Sequence, residues 1–417
     1  MKPAVTFLWL IIFPYIGVSQ ATISLETCYN LLAENYPLVQ QKMLIENQRT
    51  LNLAEINAGK LPQINLDAQA VYLSDVTQIP LPDVAVNPPN NDQYKATLSI
   101  NQLIFGNGQI AALKSVKSAE LNTQQKHLDV QLYNLKQQVN SFYFSILHQM
   151  EHHRLLQAKK RQLEQKLQEV KSGIAYGVIL PASDNVIVAE LLKIEQQSTE
   201  VISTKTVLMQ SLSALLGTPI SINTTFETPE ITVHISDSIN RPEMALFALK
   251  KEEIESKKEL IQKEISPKLV GFASGGYGNP GLNMLDNSFQ TFYTVGVKLQ
   301  WSVFDWQINK KKRQSLQINQ NRLDNDAEIF HLNTSIAVNA YEQEISKISS
   351  MLQMDLEIIA LRKHVLKSTE SQLQNGVIPV SNYITELTNL FEAENRFAQH
   401  SLTLQLAKAN YNLAKGH

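Results

Sequence analysis

Two very long segments of the chain contain neither glycine nor proline, the residues that most often interrupt regular structure. They cover residues 109 to 172 and 305 to 375. In the first, apolar residues recur at alternating steps of four and three, which is the spacing of a coiled-coil seam, and the second has a similar series. The seam residues are Leu128, Leu132, Leu135, Val139, Phe142 and Ile146, followed by Ile345, Ile348, Leu352, Leu356, Ile359, Leu366 and Leu373. The pattern predicts two helices, each about 100 Å long.

Four shorter segments without glycine or proline flank the long ones. They cover residues 38 to 58, 182 to 216, 243 to 266 and 380 to 415. Placed end to end, the short segments before and after each long segment have nearly its length. We therefore expect two short helices to lie along each long helix.

A pair of alternating segments precedes each long helix. Apolar and polar residues alternate over residues 64 to 72, 94 to 103, 269 to 277 and 293 to 301. About ten such residues are typical of a transmembrane β-strand, and any one segment fits a half-buried strand of a soluble sheet equally well. Four segments together, followed by Trp301, Phe304 and Trp306 as a membrane-interface girdle, favour the membrane interpretation. The connections over residues 74 to 93 and 278 to 290 are then expected to lie outside the cell.

Four strands cannot close a barrel, and a sheet edge in lipid leaves unpaired backbone groups at several kcal/mol each. The membrane interpretation therefore requires oligomerisation. Three copies supply about twelve strands, enough to enclose an open lumen.

The chain is duplicated. Phe105 and Phe304 each precede a long helix, Gly177 and Gly376 each follow one, and both pairs have the same separation in sequence. Internal repeats outrank length when domains are assigned. We assign residues 21–217 to repeat 1 and residues 242–417 to repeat 2, each with a helix, two barrel strands, a long helix and a further helix. Residues 218–241, rich in β-branched residues, form a linker with some strand.

The first 20 residues resemble a secretory signal peptide. Lys2 precedes an apolar stretch over residues 4 to 18, and small or polar residues follow. We expect cleavage near Gln20 or Ala21, the alternative being an uncleaved anchor. Cys28 is expected to be a buried thiol.

Composition and motifs argue against several classes of function. Net charge is −2, which argues against the extended basic surface that nucleic-acid binding needs, so we expect no nucleic-acid partner. Mean hydropathy is −0.17, with no long apolar run after the N-terminus, which argues against a bundle of membrane-spanning helices. We find no catalytic motif, metal-ligand pattern or cofactor fingerprint, so we expect no enzyme, metal or cofactor. The basic run Lys310, Lys311, Lys312 and Arg313 could meet lipid phosphates or be merely solvated.

These residues together resemble the TolC-like outer-membrane efflux proteins. The resemblance rests on the opening from Ser24 to Leu66, on the strand-to-helix junctions QLIFGNGQI and WSVFDWQIN, and on two Gly-Val-Ile turns, in matching order and spacing. It implies a mainly α fold with a membrane β-barrel: a homotrimer in the bacterial outer membrane, whose 12-stranded β-barrel continues as a 12-helix periplasmic α-barrel. The linker would contribute to an equatorial region.

The resemblance also implies functional sites and partners. Turns at the far end of the tunnel would bind a periplasmic adaptor (membrane fusion) protein, which couples to an inner-membrane pump of RND or ABC type. The implied adaptor-binding residues are Gly177, Val178, Ile179, Gly376, Val377 and Ile378. The same glycines equally fit plain turn chemistry.

The family's entrance can carry acidic rings, and the sequence departs from that pattern. Asn382 and Thr385 occupy the positions where the family can carry acidic residues, and Glu386 is the nearest carboxylate. These three residues are the periplasmic gate candidates. Asp184 and Glu190 could partly substitute for the missing acids.

The sequence thus predicts an outer-membrane exit duct of a tripartite efflux or type I secretion system. The alternative is a secreted coiled-coil structural or adhesion protein without a membrane barrel, which would have no need of the alternating strands.

Overall fold

The computed structural model describes residues 22–77, 88–234 and 238–417. The predicted signal peptide, and part of the proline-rich segment after the first alternating strand, lie outside the described residues. In chain order the elements are β1 (Thr22–Ile23), α1 (Leu25–Asn35), α2 (Pro37–Ala58), β2 (Gln63–Tyr72), β3 (Asp92–Phe105), α3 (Gln109–Ala175), α4 (Ser183–Leu216), β4 (Thr225–Phe226), α5 (Pro242–Glu264), β5 (Lys268–Asn279), β6 (Gln290–Gln300), α6 (Ile308–Gln374) and α7 (Val380–Lys415). The prediction of a mainly helical chain is confirmed, with 68% of the described residues in helices.

Both predicted long helices are present, and each has 67 residues. At about 1.5 Å per residue they are roughly 100 Å long. Helix α3 packs against α2 and α4, and α6 packs against α5 and α7, so each long helix carries two shorter ones. Helix α3 also contacts α5 and α7, which joins the first half of the chain to the second.

The first helical region is divided by a proline. Ser24 caps α1 by accepting a hydrogen bond from the Thr27 N–H at 3.1 Å. Tyr36, in an extended conformation (ψ 140°), ends that helix, and Pro37 begins α2. Proline suits a first helical position because its missing N–H would have no partner there.

The predicted seams differ in how fully they are buried. In α3, Leu128, Val139 and Ile146 are buried as expected. In α6, Ile348, Leu366 and Leu373 are buried as expected. Leu356 is 55% exposed, so the prediction that it packs in a seam of its own chain was wrong. Buried residues of α3 extend from Ala112 to Val170, whereas within the described chain α6 buries none before Thr334.

Strands β2, β3, β5 and β6 form a four-stranded antiparallel sheet in that order. The register pairs Leu66 with Leu98, Leu98 with Gly275, and Gly275 with Tyr293. Strands β2 and β6 are therefore the two edges of the described sheet.

A core lies against the middle of the long helix α3. Strand β1 pairs in parallel with β4 of the linker, so the N-terminal region and the linker meet here. Cys28, fully buried as predicted, packs in this core with Tyr143 and Phe226. The Tyr143 hydroxyl donates to the backbone carbonyls of Ile23 and Glu227, at 3.0 and 2.7 Å.

Candidate functional site

The two faces of the four-stranded sheet differ in chemistry. Side chains alternate along a strand, and residues paired between strands share a face. One face is mostly apolar and exposed, with Leu66 at 72%, Val295 at 74% and Val297 at 67% exposure. The opposite face holds mainly polar residues, among them Asn65, Asp67, Lys95, Thr97, Ser99, Thr294 and Lys298. A sheet that exposes its apolar face needs a covering other than water.

Aromatic residues lie at both ends of this apolar face. At one end the ring of Phe289 stacks on Tyr277 and on Tyr94, with centroids 5.3 and 6.4 Å apart. At the other end, beside the helices, Trp301, Phe304 and Trp306 are 58%, 68% and 79% exposed. The strands between have 10 to 14 residues, whereas a tilted membrane-crossing strand needs about 9 to 11. The first aromatic group was not predicted from the sequence, although tyrosines at strand ends were a visible signal.

The helix-side aromatic residues lie on a sharp bend of the backbone. Trp306 and Gln307 have positive φ angles of 51° and 62°, which delays the start of α6 to Ile308 from the predicted residue 305. The Asp305 carboxylate stabilises the bend by accepting hydrogen bonds from the N–H groups of Gln307 and Asn309, at 3.0 and 2.9 Å. The Phe304 and Trp306 rings meet edge to face at 4.9 Å.

The opposite ends of the long helices carry two turns of the same geometry. After α3, the Gly177 N–H bonds to the Ile174 carbonyl and the Val178 N–H to the Gly173 carbonyl, at 3.0 and 2.9 Å. After α6, the Gly376 and Val377 N–H groups make the equivalent bonds to Leu373 and Gln372, again at 3.0 and 2.9 Å. The two glycines have φ angles of 71° and 68°. Both turns are thus Schellman motifs, in which glycine supplies the left-handed residue.

Within each Gly-Val-Ile turn, only part of the triplet is exposed. Val178 and Val377 are 65% and 70% exposed, whereas Ile179 and Ile378 pack against the adjoining helical core. The Ile179 side chain lies so close to Gly173 that an added Cβ there would be 2.6 Å from it. The valines therefore form the apolar tips of the turns, and the isoleucines hold the turns onto the helices.

The gate candidates lie on the first turns of α7. Asn382 and Thr385 are exposed, and the Thr385 hydroxyl donates to the Ser381 carbonyl at 3.0 Å. Glu386 is half-buried and forms an ion pair with Arg362 of α6 at 3.2 Å. The suggestion that Glu190 could replace a missing acid is not supported, because Lys159 holds its carboxylate at 2.7 Å.

Two buried lysines near this end escaped the sequence analysis. The Lys159 ammonium bonds Glu190 of α4 and the Thr388 hydroxyl of α7, at 2.7 and 3.1 Å. One heptad further on, the Lys166 ammonium bonds Glu370 of α6 at 2.7 Å. These contacts tie α3 to three other helices at the turn end. Lys166 also pairs with Glu169 on its own helix at 2.6 Å, but the partners on the other helices are far away in sequence, so spacing along α3 gave no signal for them.

Among the described residues, no helix combines the length and apolar content needed to cross a membrane. In the same part of the chain, no three His, Cys, Asp or Glu side chains gather closely enough to hold a metal ion.

The sequence of the first repeat matches a known protein family. Residues 28–217 match the family model described as outer membrane efflux protein. This matched segment, which lies within the first repeat, is similar in sequence to outer membrane efflux proteins. The resemblance drawn from the sequence is thereby confirmed. Proteins of this efflux family are channels of the outer membrane that extend into the periplasm, and they are not enzymes.

Solved channels share the fold of this chain over nearly its whole length. CusC superimposes with a TM-score of 0.71 at 12% identity, covering 94% of this chain and 92% of that one. VceC of Vibrio cholerae gives 0.65 at 14% identity and covers 94% of each chain. MtrE of Neisseria gonorrhoeae, in its open state, gives 0.66 at 13% identity, with 94% and 89% covered. No curated protein matches the sequence.

Proposed function

We propose that three copies of this chain form an exit duct in the bacterial outer membrane, which exports substrates delivered by an inner-membrane pump and a periplasmic adaptor. The sheets combine into a 12-stranded barrel and the helices continue it as a 12-helix periplasmic tunnel. The observation that carries the proposal is the four-stranded sheet, with an exposed apolar face and two open edges.

The physics of the sheet supports closure with other copies. Each unpaired backbone group of an edge strand costs several kcal/mol in lipid, and pairing β6 of one copy with β2 of the next satisfies both edges. The apolar face then meets lipid and the polar face lines a lumen. A barrel of about twelve strands encloses more space than its side chains fill.

The helices offer a second contact for neighbouring copies. On α6, Met354, Ile358, Leu361 and Val365 follow steps of four and three and are 54%, 41%, 68% and 43% exposed. We call these four residues the α6 stripe. Within one chain the stripe is unpaired, and a coiled-coil spacing suits it to a helix of another copy.

The Gly-Val-Ile turns are the proposed adaptor contacts. Their exposed valines present small apolar tips about 100 Å from the sheet, at the end of the tunnel nearest the inner membrane. The gate candidates Asn382, Thr385 and Glu386 lie within two turns of α7 from this end. Release of the Glu386 contact with Arg362 would loosen one of the contacts between α7 and α6 near this end, and an adaptor that binds the loosened form better would favour opening.

Cross-linking of the sheet edges tests the duct. Asn65→Cys on β2, combined in turn with Thr294→Cys, Gly296→Cys or Lys298→Cys on β6, places thiols on the polar face at both edges. We expect oxidation to yield covalent trimers from at least one pair in outer-membrane fractions. The native Cys28 does not interfere because it is fully buried.

A matched control uses Asn65→Cys with Ser99→Cys, which are register partners inside one sheet and should cross-link within the chain. The secreted coiled-coil alternative predicts a different result. A mature chain that is soluble without detergent, monomeric by light scattering and free of intermolecular cross-links would falsify the duct.

A further inference from the structure

The junction between β6 and α6 joins an exposed apolar surface to a basic one. The apolar face of β6 continues through Trp301, Phe304, Trp306 and Ile308, and Ile308 itself is 52% exposed. Four basic residues, Lys310 to Arg313, follow directly and are all exposed. The run alone is ambiguous, because a solvated helix start has the same composition.

The helix divides the four basic residues between two surfaces. Lys310 and Arg313 line a groove of about 760 Å³ between the end of α5 and the start of α6, together with Glu255. Lys311 and Lys312 do not line it. They lie three and four residues after Ile308 and therefore share its face of the helix. Within the described chain, neither of these two side chains forms an ion pair or a hydrogen bond.

The first repeat supplies an internal comparison. At the equivalent positions it has Asn107 for Trp306, Ala112 for Lys311 and Leu113 for Lys312. Ala112 is buried, at 4% exposure. The junction of the first repeat therefore has neither the tryptophan nor the unpaired lysines, although its strand-to-helix connection is equivalent. The basic and aromatic surface belongs to the second repeat alone.

We propose that the junction of the second repeat binds an anionic phospholipid of the periplasmic leaflet, an inference that rests on the outer-membrane location proposed above. The acyl chains lie against Trp301, Phe304, Trp306 and Ile308, and Lys311 and Lys312 contact the headgroup phosphate. Trp side chains favour the membrane interface, lysine stems can extend along apolar surface, and lysine ammonium groups bind phosphate as point charges. Phospholipid satisfies the apolar and the basic surface together, which a soluble polyanion would not do.

Lipid titration of the purified trimer tests the site. Native mass spectrometry compares phosphatidylglycerol with phosphatidylethanolamine of the same acyl chains. We expect a preference for phosphatidylglycerol that weakens as salt rises. Because each interfacial lysine contributes about 1 kcal/mol, Lys311→Gln with Lys312→Gln should lower phosphatidylglycerol affinity roughly 30-fold. The charge-conserving variant Lys311→Arg with Lys312→Arg should bind phosphatidylglycerol about as tightly as the wild type.

Two further variants separate lipid binding from general effects of charge or folding. Lys310→Gln with Arg313→Gln removes the same charge from the groove side and should change the affinity far less. Trp306→Asn copies the residue of the first repeat, where Asn107 has a φ of 45°, and should weaken lipid binding without dissolving the trimer.

Three results would overturn the site: equal binding of the two lipids, binding of isolated peptidoglycan in place of lipid, or an equal loss of affinity in the two glutamine double variants, at 311 and 312 and at 310 and 313. A trimer in the outer membrane without lipid preference refutes this site alone, whereas failure to form a membrane trimer refutes the duct.

Discussion

The two turn glycines hold a backbone conformation that other residues adopt only at a cost. Their φ angles near 70° lie in the left-handed region, and no atom would lie within 4 Å of a Cβ added at either position. Backbone conformation, and not space, is therefore what selects glycine there. The side chain at these sites is free to vary only among residues that tolerate a positive φ.

Gly376→Pro should disable adaptor coupling. Proline fixes φ near −65° and lacks the N–H that bonds to the Leu373 carbonyl, so the turn is lost at a cost of about 3 kcal/mol. Gly376→Asn should retain most of the function, because asparagine tolerates this conformation. Adaptor co-purification and export report the difference, with light scattering to check the trimer. Normal export by the proline variant would contradict the role of the turn.

The buried lysines of α3 are the second group of individual residues that affects stability. Lys159 is 5% exposed, and its ion pair with Glu190 is shielded from water. Lys159→Ala leaves the Glu190 carboxylate, which is 14% exposed, with only the longer contact to Lys193 at 3.8 Å, and this should destabilise the protein by about 2 kcal/mol. Thermal unfolding of the purified protein measures the change, and Lys171→Ala, an exposed lysine of the same helix, is the control.

A double variant separates the loss of the ion pair from the loss of packing. Lys159→Met with Glu190→Leu removes both charges. It should restore much of the decrease in thermal unfolding midpoint that Lys159→Ala causes. If the alanine variant unfolds at the wild-type temperature, the ion pair does not stabilise this end of the helices.

At the scale of elements, the glycine and proline positions predicted most helix ends within a few residues. Helix α7 spans the predicted residues 380 to 415, and the strands follow the predicted alternation. Two ends moved for local reasons. Helix α3 runs through Gly173 to Ala175, and α6 begins late because Trp306 and Gln307 adopt positive φ angles. A bend formed by non-glycine residues leaves no breaker in the sequence.

Exposed apolar positions were harder to predict than helix ends. Periodicity assigns Leu356 to a seam, but it cannot distinguish a seam within the chain from one between copies. The α6 stripe shows the same ambiguity. The partners of Lys159 and Lys166 depend on which helices pack together, which no single helix encodes.

Ile358→Glu with Leu361→Glu should prevent assembly, because two carboxylates on the α6 stripe would lose their solvation against a neighbouring helix. Light scattering in detergent measures the oligomeric state. Gln353→Glu adds a charge at an exposed position beside the stripe and should leave the trimer intact. Trimers of unchanged thermal stability in the double variant would show that α6 does not face another copy.

At the scale of the whole molecule, the polar face of the sheet carries unequal charge. Lys95, Lys268 and Lys298 lie on it with a single acid, Asp67. In a closed barrel this face lines the lumen, and rings of one sign attract ions of the other. The proposed duct would therefore have a basic barrel above a tunnel rich in neutral amides.

Lys268→Gln with Lys298→Gln should shift permeation towards cations. The reversal potential of single channels under a KCl gradient measures the shift, and Asp67→Asn should move it in the opposite direction. Comparison of variants with wild type isolates the barrel, since the helical tunnel is unchanged. Identical reversal potentials in all three proteins would place these lysines away from the permeation path.

The unequal burial of the two long helices has a genetic consequence. Helix α3 is enclosed largely by its own chain, so a substitution in its core damages only the copy that carries it. In the proposed trimer, helix α6 would pack its apolar stripe against other copies, so a defective α6 would enter trimers together with normal subunits. Co-expressed with the wild-type allele, α3 core mutations should then behave as recessive, whereas mutations of the α6 stripe that still permit association should be dominant negative.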